Sequence, residues 1–282
     1  MLQLNLGNKT LIFDRPAVMG ILNVTPDSFS DGGHFNQMDK ALQHCEEMIA
    51  DGADFIDIGG CSTRPNNAIA TEQEEMERVV PILKAIKKAF PETLISIDTF
   101  RKNVAEACMA EGADIINDIS GGLFDKEMLP YIGQNHITYV MMHCVGTPET
   151  MHQYALDGDI HQTVLEFFKQ QCEVLEANGD QQIILDPGIG FGKSLEANYQ
   201  LLSNLDKYRY NSLPILIGIS RKSLINKVLH TTPDTAENGT TVLNTIALLN
   251  GADILRVHDV KNAREAIELV GTFCNFAQKF ES

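Results

Sequence analysis

Apolar residues fall along this chain in two alternating rhythms. Eight short runs are nearly continuous in apolar, often β-branched residues: 18–24, 55–59, 94–99, 115–119, 137–142, 183–186, 215–219 and 254–257. Between them the apolar positions repeat at helical spacing. Ala41, Leu42, Cys45, Met48 and Ile49 make one such face, and Thr71 with Glu74 forms a capping box at the head of "TEQEEMERVVPILKAIKKAF". Strand followed by helix, repeated, implies a parallel sheet. Strands apolar on both faces must be covered on both, which suits a closed barrel. The pattern therefore predicts an α/β fold, a single (β/α)8 TIM barrel occupying residues 1–282 as one domain. A partial repeat agrees with this. "DGADFIDIGG" at 51, "EGADIINDIS" at 111 and "NGADILRVHDV" at 250 each end a helix on Gly and enter a strand through Ala-Asp. The first 14 residues alternate apolar and polar about Gly7-Asn8, which predicts an N-terminal β-hairpin.

Composition narrows the function. The chain has 282 residues and a formal charge of -16. Bulk binding to nucleic acid or to an anionic membrane is not expected of such a chain. An anionic ligand would need Arg, Lys and His gathered locally. Six cysteines are scattered with no C-x-x-C pair, as expected of reduced, mostly buried thiols in a cytoplasmic protein. The N-terminus has neither a basic stretch nor a long apolar run, so neither a signal peptide nor a membrane span is expected.

In a barrel of this kind, ligands meet the C-terminal ends of the strands. In chain order those ends carry Asn23, Asp57, "CSTRP" (61–65), Asp98, Asn117, Met142-His143, Asp186, "SRK" (220–222) and Arg256-x-His258-Asp259. The stretch "IILDPGIGFGKS" (183–194) imitates a phosphate-binding loop, but Pro187 stands where its first Gly belongs. It is better read as the sixth strand and its following loop, whose glycines let the backbone pass close to a ligand or another loop. A zinc-hydrolase barrel would want His-x-His after the first strand, where "NVTP" stands instead. Taken singly, Lys193 and Lys222 are expected to be solvated. Together, Asp98, Asn117 and Asp186 suit a heterocycle with paired N–H donors, and Arg64, Arg256, His258 and Lys222 suit phosphate. Asn23 could hold Mg²⁺ between phosphates. Ser220 is expected near the start of a helix, as part of an anion site.

At these residues the chain resembles the dihydropteroate synthase family. The matching segments are "MGILNVTPDSFSDGG", "DIGGCSTRP", "ISIDT", "GADIINDISGG", "MMHCVGTPETM", "ILDPGIGFGKSLEANYQLL", "IGISRKS" and "GADILRVHDV", in family order. The resemblance implies a transferase that joins 6-hydroxymethyl-7,8-dihydropterin pyrophosphate to p-aminobenzoate, releasing pyrophosphate. It implies a pterin site of Asp98, Asn117, Met142, Asp186, Gly218, Lys222 and Arg256. Asn23, Thr63, Arg64, Arg256 and His258 would hold pyrophosphate with Mg²⁺. Phe29, Asp31, Thr63, Pro65, Phe191, Ser220 and Lys222 would receive p-aminobenzoate. It further implies a homodimer and a sulfonamide target. The chain departs from the family at Cys61, usually Glu, at Asn66-Asn67, and at Ala236, where Arg is common. Two other functions fit parts of this pattern: a pterin-binding paralogue without turnover, and a pterin-dependent methyltransferase.

Overall fold

The structure is a computed structural model that describes residues 2–6, 9–25, 34–61, 69–147, 150, 156, 158–179 and 182–277. Strands β1 (Leu2–Leu6) and β2 (Lys9–Phe13) pair antiparallel, with Leu2 opposite Phe13 and Leu6 opposite Lys9. This is the expected hairpin. Alternation along β1 buries Leu2, Leu4 and Leu6 and exposes Gln3 and Asn5. The buried leucines pack on Met19, Phe55, Ile115, Val140, Ile184 and Ile254, so the hairpin floors the barrel.

The eight parallel strands are β3 (Ala17–Asn23), β4 (Phe55–Gly59), β5 (Leu94–Asp98), β6 (Ile115–Asp118), β7 (Thr138–Met142), β8 (Ile183–Asp186), β9 (Leu216–Ile217) and β10 (Ile254–Val257). Their spatial order is β8-β7-β6-β5-β4-β3-β10-β9. A bridge from Leu185 to Ile215, and the Leu185 N–H donating to the Pro214 carbonyl at 2.8 Å, bring β9 back to β8 and close the barrel. Strand β9 is shorter than the apolar run 215–219. The Ile219 carbonyl accepts from the Lys222 N–H at 3.1 Å, which turns the chain out of the sheet before the apolar residues end.

Helices α1 (His34–Ala50), α2 (Glu72–Ala89), α3 (Lys102–Ala110), α4 (Met128–Gln134), α5 (Ile160–Glu176), α6 (Leu195–Ser203), α7 (Ser223–Leu229), α8 (Glu237–Leu249) and α9 (Val260–Ala277) connect and cover the strands. The capping box of α2 forms as read, with Thr71 N donating to Glu74 Oε2 at 2.7 Å. Among the described residues no helix is long and apolar enough to cross a membrane.

The Gly-Ala-Asp repeat has a structural meaning beyond the helix cap. Asp54 accepts from the Val18 N–H, Asp114 from the Ile95 N–H and Asp253 from the Ile215 N–H, each at 2.8 Å. Each repeat thus ties the start of its own strand to the start of the preceding one. Arg15, Lys87 and Arg209 neutralise these three carboxylates in turn.

Candidate active site

Strand periodicity builds the site. Side chains two residues apart face the same side. Phe55, Ile115, Val140, Ile184, Leu216 and Ile254 face inward at the floor. Two residues further along the same strands stand Asp57, Asn117, Met142, Asp186, Gly218 and Arg256. Asp98 follows the buried Ser96 in the same way, and Asn23 follows Ile21. The barrel therefore changes from a layer that is apolar except for Ser96 to one that is polar except for Met142 and Gly218 in a single step, at its C-terminal mouth.

The polar layer is internally paired. Arg256 donates through Nε to Asp57 Oδ2 and through Nη2 to Asp98 Oδ2, both at 2.6 Å. Asn117 Nδ2 donates to the same Asp57 oxygen at 3.0 Å. Asp57 is fully buried, whereas the Asp98 side chain keeps 24% of its surface exposed. Burial pushes the Asp98 carboxyl up to about 7 against the pull of Arg256, and neighbouring Asp57, Glu75 and Asp118 add to the rise. Burial also works against the Arg256 charge, but Asp57 and Asp98 outweigh it and hold the guanidinium protonated.

Asp186 and Lys222 form the opposite wall. Asp186 Oδ1 accepts from the Gly188 N–H at 2.7 Å, and burial raises its carboxyl against the lowering effect of Lys222. The Lys222 Nζ donates to the Ile189 carbonyl at 2.6 Å and lies 4.3 Å from the centre of the Phe191 ring. Burial lowers the ammonium to about 8, opposed by Asp186. Met142, Ile119 and Cys144 pack with Phe100, Phe124 and Phe191 into an apolar flank. This mouth can grip a flat polar heterocycle at its edge and still offer it an apolar face.

Three expectations need correction. Lys222 is not solvated but half-buried, its ammonium turned into this wall. Lys193 is buried, its Nζ donating to the carbonyls of His143 at 3.0 Å, Gly188 at 2.8 Å and Phe191 at 3.1 Å. Ser220 does not open a helix: α7 begins at Ser223, after Lys222. The Ser220 Oγ instead meets His258 Nδ1 at 2.9 Å and accepts from the His258 N–H at 3.2 Å. The glycines of "DPGIGFGK" approach another loop. A Cβ on Gly188 would lie 1.9 Å from the His143 carbonyl oxygen, and one on Gly192 2.7 Å from that of Val145.

Asn23 stands beside Asp98 above Gly59: a Cβ built there would meet Asp98 Cβ at 3.5 Å and Asn23 Oδ1 at 3.6 Å. Phe29, Asp31, Thr63, Arg64 and Pro65, with Asn66 and Asn67, lie outside the described residues. Cys61 is half-buried, and Ala236 is buried with its carbonyl accepting from Thr240 N and Oγ1 at 2.8 and 2.9 Å. Among the described residues no group of three or more His, Cys, Asp and Glu is arranged to hold a metal.

The model of the pterin binding enzyme family matches residues 19–258, a span that contains every inward-facing polar residue described above. The chain belongs to this family. The dihydropteroate synthase of Synechocystis sp. is 44% identical over 251 residues, covering 88% of this chain and 86% of that one. The solved dihydropteroate synthase of Yersinia pestis, in a sulfonamide drug complex, is 40% identical with a TM-score of 0.90, covering 97% of this chain and 100% of that one. That of Xanthomonas albilineans, solved with 4-aminobenzoic acid, is 34% identical with a TM-score of 0.88, covering 96% and 97%. The resemblance read from the motifs is therefore a family membership, and the chain is an enzyme of the dihydropteroate synthase family.

For this member of the pterin-binding enzymes, sequence reading passed over three structural residues of the site. Asp57 stands in the sequence as a strand-end residue with no role of its own. Lys193, a lone lysine in its loop, reads as solvated in the sequence. Asp118 was overlooked, yet it accepts from Ser120 N at 2.7 Å, Gly122 N at 3.0 Å and Tyr139 Oη at 2.7 Å, and so folds the loop after β6. The "NDISGG" motif was its signal: an Asp followed by Ser and two glycines marks a carboxylate-capped turn.

Proposed function

We propose that the protein condenses 6-hydroxymethyl-7,8-dihydropterin pyrophosphate with p-aminobenzoate to give 7,8-dihydropteroate and pyrophosphate. The observation that carries this reading is the inward ring of Asp98, Asn117, Asp186 and Arg256, one step above an apolar floor. Carboxylates and an amide match the paired N–H donors of a pterin edge. Lys222, beside Asp186, would face the pterin carbonyl, with Gly218 leaving room in the mouth layer and Met142 on the flank. Arg256 and His258, with Thr63 and Arg64, would meet the pyrophosphate. Ser220, Phe191 and Lys222, with Phe29, Asp31 and Pro65, would meet p-aminobenzoate.

An aryl amine is a weak nucleophile, so the barrier falls most if the leaving group departs first. The bond between the pterin methylene and the pyrophosphate oxygen breaks, and its electron pair stays on pyrophosphate. Arg256 would stabilise that growing negative charge. Asp98, held near neutrality in pH by burial, would stabilise the delocalised pterin cation when ionised. The amine nitrogen then bonds to the methylene and releases its proton. Asn23 fits Mg²⁺ as a single neutral oxygen donor, since this ion keeps waters and takes few protein ligands. When bound it would offset phosphate charge.

A cytoplasmic homodimer is part of the same reading. Val242, Ile246 and Leu249 of α8 and Leu269 and Phe273 of α9 are exposed apolar residues on adjacent helices. A second copy would cover them, and Leu249→Asp should then yield a monomer in sedimentation.

Calorimetric titration tests the site assignment. With the dihydropterin pyrophosphate and with the pterin lacking pyrophosphate, Asp186→Ala should lose both affinities. His258→Ala should lose only the increment from pyrophosphate. Unchanged pterin affinity in Asp186→Ala would overturn the reading.

A further inference from the structure

We propose that Asp57 is a positioning residue for this site, a buried carboxylate that aims the Arg256 guanidinium and the Asn117 amide at the pterin without touching it. The proposal rests on the functional reading above and adds to it a residue that acts through others.

The geometry sets Asp57 apart. One oxygen, Oδ2, accepts both from Arg256 Nε, 199 residues away, and from Asn117 Nδ2, 60 residues away. It thereby ties β10 and β6 to β4 across the barrel mouth. Asp57 has no exposed surface, while the Arg256 side chain is 18% exposed and Asn117 4%. Asp57 therefore stands behind the two groups it holds. Its other oxygen, Oδ1, has no hydrogen-bond partner among the described residues, and neither has the Oγ of Ser96, its register partner on β5. A buried carboxylate with an unmet oxygen is costly. A mere packing role would be served by an apolar residue of similar volume. What an apolar residue could not do is fix Nε of Arg256 and leave Nη2 directed at Asp98.

Charge matters as well as aim. Asp98 faces Arg256 on β10, Asp57 on β4, Glu75 on α2 and Asp118 on β6, with Lys222 also near. Arg256 divides its charge between two carboxylates. If the Asp57 charge is removed, Asp98 loses a repelling neighbour and gains a larger share of Arg256. Both changes favour ionised Asp98 and move its titration to lower pH.

Asp57→Asn separates charge from shape, because an amide oxygen can still accept from both donors. Asp57→Ala removes both. In Asp57→Asn, the acidic limb of the kcat/KM profile should move to lower pH relative to the unaltered enzyme. The dissociation constant for the dihydropterin pyrophosphate, by calorimetry, should rise about tenfold in Asp57→Asn and further in Asp57→Ala. If only the active fraction falls, with the pH limb and the affinity unmoved, Asp57 is structural and the proposal is overturned. If Asp57→Ala does not fold, Asp57→Asn alone decides. If the unaltered protein binds the pterin substrate but forms no dihydropteroate, the functional reading fails, and the affinity of Asp57→Asn still decides the positioning role.

Discussion

Arg256 and Asp98 are 158 residues apart in the chain and 2.6 Å apart in the barrel mouth. With Asp57, which is fully buried, they form a largely enclosed triad of one cation and two carboxylates. Breaking such a group by removing one partner leaves uncompensated charge, at a cost of about 3–5 kcal/mol. Arg256→Met should therefore lower urea-denaturation stability by about that amount. Adding Asp57→Asn should restore part of the loss, because one stranded charge is removed.

Lys193 fastens the loop after β7 to the loop after β8 through three backbone carbonyls. Burial lowers its ammonium to about 7, yet three acceptors favour the protonated form. Lys193→Met would take this donor from the His143 and Phe191 carbonyls, while the Gly188 carbonyl keeps the Phe191 N–H at 3.1 Å, and should destabilise the fold by roughly 2–3 kcal/mol. Phe191 rides on the second of these loops. Steady-state kinetics should therefore show the KM for p-aminobenzoate rising more than kcat falls.

His143 makes the fold acid-labile. It is buried against Phe167, with ring centres 5.0 Å apart, and burial together with Lys193 lowers its imidazole from 6.5 to about 2. It is neutral when folded and takes a proton when unfolded. Its contribution is complete above pH 6.5 and is lost as pH falls below that value. By pH 5 the loss should reach about 2 kcal/mol. His143→Phe keeps the ring contact and should be less sensitive to acid by that difference, measured as urea midpoints at pH 7 and pH 5.

Gly188 has φ +69, and an added Cβ would strike the His143 carbonyl. Gly158, at φ +99, has no atom within 4 Å of such a Cβ. Gly188→Ala should therefore destabilise by well over the roughly 1–3 kcal/mol of backbone strain expected at Gly158→Ala. Thermal unfolding of the two variants makes the comparison.

Much of the fold was readable because its signals are local. Apolar runs, helical faces and the Thr71 capping box depend on near neighbours, and the eight strands and the hairpin appear where the pattern placed them. Strand β9 ended early because a turn hydrogen bond from Lys222, not hydrophobicity, set its length. In the site, their place at the C-terminal ends of barrel strands put Asp98, Asn117, Asp186 and Arg256 together from sequence alone. The burial of Lys193 and the pairing of Ser220 with His258 were not readable. Both depend on carbonyls or side chains brought in from distant loops, and neither leaves a periodic trace. Asp57 was visible as a strand-end residue, but its partners lie 60 and 199 residues away.

The most direct test is to mix the protein with the dihydropterin pyrophosphate, p-aminobenzoate and Mg²⁺ and to quantify dihydropteroate and pyrophosphate together. Equal yields, lost in Asp98→Ala and in Arg256→Ala, are the expected result. Bound pterin with neither product formed would contradict a synthase and leave a pterin-binding paralogue.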